Sequence, residues 1–210
     1  MSIRLYSFWR SSAAYRVRIA LNLKGLKHTI VPVSLAPDVS EHRGEAYRAK
    51  NPQMLVPYLE DGELGISQSM AMLEYLEEAY PNVHLLPESE PARSQVRAFC
   101  NMIACDIHPL NNLRVMQYIK NEFDADPSGD WYAHWIHEGF RAAEILASDG
   151  PYVFGNTITL ADAFLVPQVY NARRFRVPLD DFPKLVAATD ACNELTAFQD
   201  AAPEAQSDAG

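Results

Sequence analysis

The residues able to do chemistry come in short groups at element boundaries. In SFWRSSAAYRVRIAL (7–21), Arg10 is followed by Ser11 and Ser12. An alternating run precedes the two serines and a helical period follows them, so both hydroxyls fall at a helix start. Two chemistries suit that place. Serine is a preferred helix N-cap. Alternatively, a hydroxyl aimed at a thiolate, beside the positive end of a helix, favours the charged sulfur and lowers its pKa. Ala13 and Ala14 stand where a redox helix would carry cysteine, and Cys100 and Cys105 lie far along the chain. Any thiolate served here therefore belongs to a ligand.

Gln68-Ser69 repeats the pattern at a second strand-to-helix junction. It reads either as a cap or as a carboxylate site made of a hydroxyl, backbone N–H groups and the helix dipole. Two such helix starts in one small βα domain offer anion sites for the two ends of a short peptide. Arg173, Arg174 and Arg176 fall near the end of a later helix, in NARRFRV. Such arginines are either solvated or grip a carboxylate with a bidentate fork.

Metal chemistry is poorly supported. On an α-helix Cys105 and His108 share a face, with Cys100 off to one side and Asp106 on another. A structural zinc normally has four ligands from paired short motifs, so no metal site is expected. His134 and His137 (HWIH) read as buried or interfacial side chains. The chain has no Cys-x-x-Cys, Gly-rich phosphate loop or Ser-His-Asp order.

The elements that position these residues alternate in type up to about residue 80. Ile3 to Ser7 reads as a strand, and Ala14 to Lys24 as a helix ended by Gly25 at C′. A second strand spans His28 to Val33, and a weak helix Glu41 to Lys50. Leu55 to Glu60 and Leu64 to Ser67 form a hairpin about Asp61-Gly62, and Met70 to Tyr80 is a helix. The order is βαβαββα, with a right-handed parallel crossover in its first half. Pro57 inside a strand pattern implies an edge or a cis Val56–Pro57 bond. Pro81 to Pro91 is proline-rich, giving a linker over 82–91 between domains at 1–81 and 92–198. Helices are expected over Ala92–Glu122 (bent near Pro109), Trp131–Ser148, Leu160–Arg174 and Lys184–Phe198. Thr159 and Asp162 resemble a capping box. The polar tail over 199–210 is expected to fray.

Of the 210 residues, 48% are hydrophobic, and the net charge is −9. An acidic chain is a poor nucleic-acid binder, so an anionic ligand must be held by a few local arginines against the global field. Three cysteines do not suggest a disulfide scaffold. No long apolar run suggests a signal peptide or membrane span, and a cytoplasmic protein is expected.

Together SSAAYRVRIAL, NPQMLVPYLEDG, ISQSMAMLEYLEE, CDIHPLNNLR and TLADAFLVPQVYNARRF resemble the zeta class of glutathione transferases. Within that class the likeness is greatest to its bacterial maleylacetoacetate isomerases. The likeness runs from Leu5 to about Phe198. It implies a thioredoxin-like α/β N-terminal domain that binds glutathione, an all-α C-terminal domain that carries the substrate site, and a homodimer. It assigns Ser11, with Ser12 close by, to the glutathione sulfur, and places Ala13 where the motif's cysteine is missing. In this reading Ser12 keeps the cap. Val56, before the cis Pro57, pairs with the cysteinyl part of glutathione. Gln68 and Ser69 hold its γ-glutamyl carboxylate, and Gln53 and His108 make further contacts. Arg10 and Arg174 face the carboxylates of a small acidic substrate, with Asn112 nearby.

The implied reaction is conversion of maleylacetoacetate to fumarylacetoacetate, a step of tyrosine and phenylalanine catabolism, by reversible thiolate addition. A relative acting on maleylpyruvate has two arginines after its Asn-Asn pair. Here Asn111-Asn112 is followed by Leu113 and Arg114, which favours maleylacetoacetate. The alternatives are maleylpyruvate isomerisation, conjugation of small α-halo acids, and a transferase-fold interaction protein that has lost its ligand.

Overall fold

The computed structural model describes residues 2–124, 126 and 129–209. The chain divides into two compact units, one of residues up to His84 with those from Leu195 onward, the other Leu85–Glu194.

The first unit is built on a four-stranded sheet of order β2-β1-β3-β4. Strand β1 (Ile3–Ser7) pairs in parallel with β2 (His28–Pro32) and antiparallel with β3 (Tyr58–Asp61), which pairs with β4 (Leu64–Ser67). Leu5 lies opposite both Ile30 and Leu59 and is fully buried. The β3–β4 loop is two residues long and starts with Gly62 at φ +62°, a value a side chain would resist. Pro57 precedes β3 in a cis peptide bond and so breaks no ladder.

Helix α1 (Ser12–Leu23) crosses from β1 to β2 and ends where expected. Gly25 takes φ +64°, Gly25 N–H donates to Asn22 O, and Leu26 N–H donates to Leu21 O. This is a Schellman closure. Residues 14–21 are all buried, so α1 has no solvent face. Arg16 and Arg18 are each 1% exposed. Helices α2 (Glu45–Lys50) and α3 (Ser69–Ala79) complete the βαβαββα order, with a 3₁₀ turn at Glu41–Arg43 before α2.

The tail corrects the expectation of fraying. Helix α9 (Thr196–Gln199) packs on α1 and is followed by a 3₁₀ turn at Pro203–Ala205, with Phe198 and Ala201 fully buried. Polar side chains hold this segment through its own carbonyls. Asn22 Nδ2 donates to Ala197 O at 3.0 Å, and Gln206 Nε2 donates to Asp200 O and Ala202 O at 2.9 Å.

The second unit is helical: α4 (Glu90–Asn101), a π-helical segment (Met102–Ile107), α5 (Leu113–Phe123), α6 (Asp130–Leu146), α7 (Leu160–Arg174) and α8 (Pro183–Asn193). The expected 82–91 linker is not free chain. Leu85 and Leu86 are buried, and Leu85 O accepts from Leu160 N at 2.8 Å. Helix α4 starts at Glu90, because Ser89 caps it and Pro91 is tolerated in a first turn. The single helix expected over 92–122 is broken between His108 and Asn112. The helix expected over 184–198 ends at Asn193, and α9 restarts three residues later. The core gathers Phe99, Ile103, Ile107, Ile136, Phe140, Phe164 and Leu185.

The Thr159–Asp162 capping box is present. Asp162 is fully buried. Its Oδ2 accepts from Thr159 N and Thr159 Oγ1, and its Oδ1 accepts from Val153 N. Burial pushes its carboxyl above the usual range, against those hydrogen bonds.

Candidate active site

Ser11 and Ser12 divide the two roles differently from the sequence reading. Ser11, not Ser12, is the N-cap of α1. Its backbone is still extended (φ −68°, ψ 114°), and its Oγ accepts from Ala14 N at 3.2 Å. Ser12 has already entered the helix, where a side chain no longer faces the open N–H groups of the first turn, and it is buried and not free. Capping occupies only an acceptor lone pair of Ser11, and the hydroxyl hydrogen remains to be donated. The cap and the sulfur-directed donor can thus be one residue, half-buried at the helix start. No acidic side chain sits in the first turn, so the positive end of the dipole is not neutralised there. Arg10 is exposed, its guanidinium 4.5 Å from the Trp9 ring centroid.

At the second helix start neither side chain caps. Gln68 holds the N-cap position with no side-chain cap bond, and Ser69 is the first helical residue. The Ser69 hydroxyl instead accepts from Arg16 Nη1 at 3.3 Å. Among the described residues the N–H groups of the first turn of α3 therefore have no side-chain acceptor, which is the condition for binding an anion. Arg16 places a buried cation beside them. Gln68 adopts φ +70°, ψ 117°, a costly backbone for a residue with a side chain, of the kind found at functional sites. Its Nε2 donates to Gln53 Oε1 at 2.7 Å, so these two exposed glutamines are brought together. Gln53 is steadied by Asn51 Oδ1, which accepts its backbone N–H at 3.1 Å. Among the described residues the N–H and C=O of Val56 make no hydrogen bond, although its side chain packs against Tyr6, Val33 and Tyr47. An open peptide edge is thus available just before Pro57.

His108, Asn112 and Arg174 belong to the second unit. Asn112 caps α5, its Oδ1 accepting from Arg114 N at 3.1 Å, which leaves the amide N–H₂ for other partners. His108 is half-buried directly after the π-helical segment, its N–H donating to Ile103 O at 2.9 Å. Arg174 is exposed, with its guanidinium 4.4 Å from the Phe175 ring centroid. Phe175 stacks on buried Tyr132 at 3.9 Å, and Tyr132 O accepts from Asn111 Nδ2 at 3.3 Å. Tyr132 therefore ties the Asn111-Asn112 turn to the Arg174-Phe175 end of α7. Burial pushes its phenol up, partly offset by the charge of Arg174. Arg173 is committed to Asp190 at 2.8 Å.

The α-helical spacing assumed for Cys105 and His108 is overridden by the π-helical turns between them, which take more residues per turn. Cys100 and Cys192 are buried and Cys105 is exposed, all as free thiols. Among the described residues no group of three or more His, Cys, Asp or Glu side chains could hold a metal ion. His134 is exposed, so it is not buried within the chain, with its ring against Trp135, while His137 Nε2 bonds Pro178 O at 2.9 Å. Sequence reasoning missed Arg16. The only signal was an arginine at a position the neighbouring apolar residues mark as core.

The family described as Glutathione S-transferase, N-terminal domain, matches residues 5–87. A maleylpyruvate isomerase of Ralstonia sp is 48% identical over 98% of this chain and 99% of its own length. A maleylacetoacetate isomerase of Pseudomonas aeruginosa is 43% identical over 98% of each chain. Among solved structures, the holo structure of a maleyl pyruvate isomerase, described as a bacterial glutathione S-transferase in the zeta class, superposes with a TM-score of 0.94. It is 46% identical and covers 99% of this chain and 100% of that one.

Proposed function

Because the chain belongs to the zeta class of the glutathione S-transferase family, we propose that it is a glutathione-dependent cis–trans isomerase of a short conjugated diacid, converting maleylacetoacetate to fumarylacetoacetate. The observation that carries the reading is the pair of helix starts. One presents a hydroxyl with its hydrogen to spare at Ser11, and the other an uncapped first turn beside buried Arg16.

This donor set fits a tripeptide thiol with a free amino-acid end. The N–H groups of α3, with Ser69 and Gln68, suit the γ-glutamyl carboxylate. The open peptide of Val56 suits a backbone partner in the cysteinyl residue. Gln53 lies beside Gln68 to complete that end, and His108 is assigned a further contact. When bound, glutathione supplies a thiolate nucleophile that adds to the activated double bond and is expelled again, leaving the bond single and able to turn in between.

The chain's own residues do the rest. The Ser11 hydroxyl donates to the sulfur, and the start of α1 adds its positive field, so the charged form is favoured near neutral pH. Arg10 and Arg174 are each assigned to a carboxylate of the substrate, which a guanidinium can grip with a bidentate fork. Asn112 and neighbouring donors support the negative charge that develops on the ketone oxygen. In this reading residues 1–81 form the glutathione-binding domain and 92–198 the substrate domain, and the chain works as a cytoplasmic homodimer. Among the described residues no helix is long and apolar enough to cross a membrane.

Maleylpyruvate is the second reading, favoured by the 48% identity of the Ralstonia enzyme. Leu113 and Arg114 after Asn112, in place of two arginines, favour maleylacetoacetate. Offering each cis diacid with glutathione and following the trans product tests both. A higher kcat/KM on maleylacetoacetate is expected. No turnover of either diacid, with glutathione still bound, overturns the isomerase reading.

A further inference from the structure

The turn that carries Arg10 and Ser11 is held on one side from α1 and on the other from the tail, outside the βαβαββα core. Both polar groups of the Trp9 backbone are taken. Its N–H donates to Asp208 Oδ2 at 3.1 Å, and its C=O accepts from Arg18 Nη2 at 3.0 Å. Arg18 is fully buried. It also donates through Nη1 to Ser7 Oγ at 3.0 Å and through Nε to Ala201 O at 2.9 Å. One arginine thus joins the end of β1, the Trp9 peptide and the tail, while Asp208 reaches back from the tail to the other side of the same residue. Ser11 N–H donating to Phe8 O at 2.9 Å closes the turn. Between these anchors lie only Arg10 and the approach to Ser11.

The Asp208 carboxylate is placed at a cost. Its Oδ1 is buried with no hydrogen-bond partner among the described residues, and a sealed carboxylate oxygen without a donor is unfavourable. A carboxylate is more cheaply left in solvent, yet this one is committed to one backbone N–H at the candidate site.

We propose that the C-terminal tail is a clamp that fixes the Trp9–Ser11 turn, with Asp208 as its positioning residue and Arg18 as the buried anchor. The clamp deepens the proposed function and rests on its assignment of Ser11 to the glutathione sulfur. The direction of the Ser11 hydroxyl follows from where the chain enters α1, and that entry is set by the Trp9 peptide. Loosening the clamp leaves the glutathione-holding groups of α3 and of the segment around Val56 in place but lets the hydroxyl drift from the sulfur. The loss falls on kcat rather than on the glutathione KM.

The test uses the full chain with Asp208→Ala and Asp208→Asn, well below the melting temperature. Asparagine keeps a carbonyl oxygen for the Trp9 N–H, and alanine keeps nothing. Glutathione ionisation in the binary complex is read from thiolate absorbance against pH, and turnover and Trp9 amide hydrogen exchange are measured beside it. Asp208→Ala is expected to speed exchange at Trp9, raise the pKa of the bound thiol and lower kcat about tenfold, with the glutathione KM within about twofold. Asp208→Asn is expected to restore most of the wild-type values. An Asp208→Ala chain with unchanged thiol pKa and kcat overturns the clamp, as does an Asp208→Asn chain equally impaired. The two claims separate cleanly. A wild type without turnover overturns the isomerase reading, whereas the binary-complex pKa still decides the clamp.

Discussion

Ser11→Ala removes two interactions of one oxygen, one present in the structure and one proposed. The first is the cap of α1. Its 3.2 Å contact to Ala14 N is at the long end for a hydrogen bond, so about 1 kcal/mol or less of stability is at stake. The second is the proposed hydrogen bond donated to a thiolate. Hydrogen bonds to charged groups contribute about 1.5–3 kcal/mol. At about 1.4 kcal/mol per pKa unit, its loss raises the pKa of the bound thiol by about one to two units. For a bound thiol that is about half ionised near neutral pH, the thiolate population and kcat/KM there then fall about fivefold to fiftyfold. The deficit closes as pH rises through the new pKa, because the site lacks only the means to deprotonate the thiol.

Ser11→Gly separates the two effects, since glycine costs a cap only a few tenths of a kcal/mol but carries no donor. Thiolate absorbance against pH and the pH–rate profile are the assays. Both variants are expected to shift the thiol, and only alanine to cost measurable stability. Variants that lose stability with the thiol pKa unmoved would refute the catalytic role and leave Ser11 a cap alone.

Two predictions concern the frame around the site. Asp162→Ala strands the N–H groups of Val153 and Thr159 and the Thr159 hydroxyl in the interior. A loss of about 3 kcal/mol or more in denaturant unfolding is expected, and a loss below about 1 kcal/mol contradicts it. Lys24 Nζ and Glu77 Oε1 lie 2.8 Å apart with side chains 1% and 4% exposed, and Lys24 also serves the carbonyls of Tyr80 and Val83. Lys24→Met takes the ammonium partner from the buried Glu77 carboxylate and is expected to cost about 3–5 kcal/mol. The double variant Lys24→Met/Glu77→Leu is expected to recover most of that, and equal losses in the two would contradict the pairing.

Local chemistry was legible in the sequence. Gly25 marked the end of α1 because a left-handed residue is needed there, and Thr159 with Asp162 announced a capping box because both partners lie within one turn. The alternation of periods 2 and 3.6 gave the order of the first unit. What could not be read rests on distant partners or on backbone detail. Arg18 is buried in an apolar helix because Ala201, 183 residues further on, accepts from it, and no local pattern encodes that bond. The tail looked frayed because its polar composition hides a segment held through its carbonyls. The choice between Ser11 and Ser12 turned on a single residue's backbone angles, which adjacent identical side chains cannot reveal. The π-helical turns at Met102–Ile107 defeated a face assignment based on α-helical spacing.

The most direct test of the central claim is to count product against glutathione. With catalytic glutathione and excess maleylacetoacetate, many equivalents of fumarylacetoacetate should form per glutathione while the free-thiol titre returns to its starting value. Product capped at one equivalent per glutathione, with the thiol consumed, would make the protein a conjugating transferase and contradict the account.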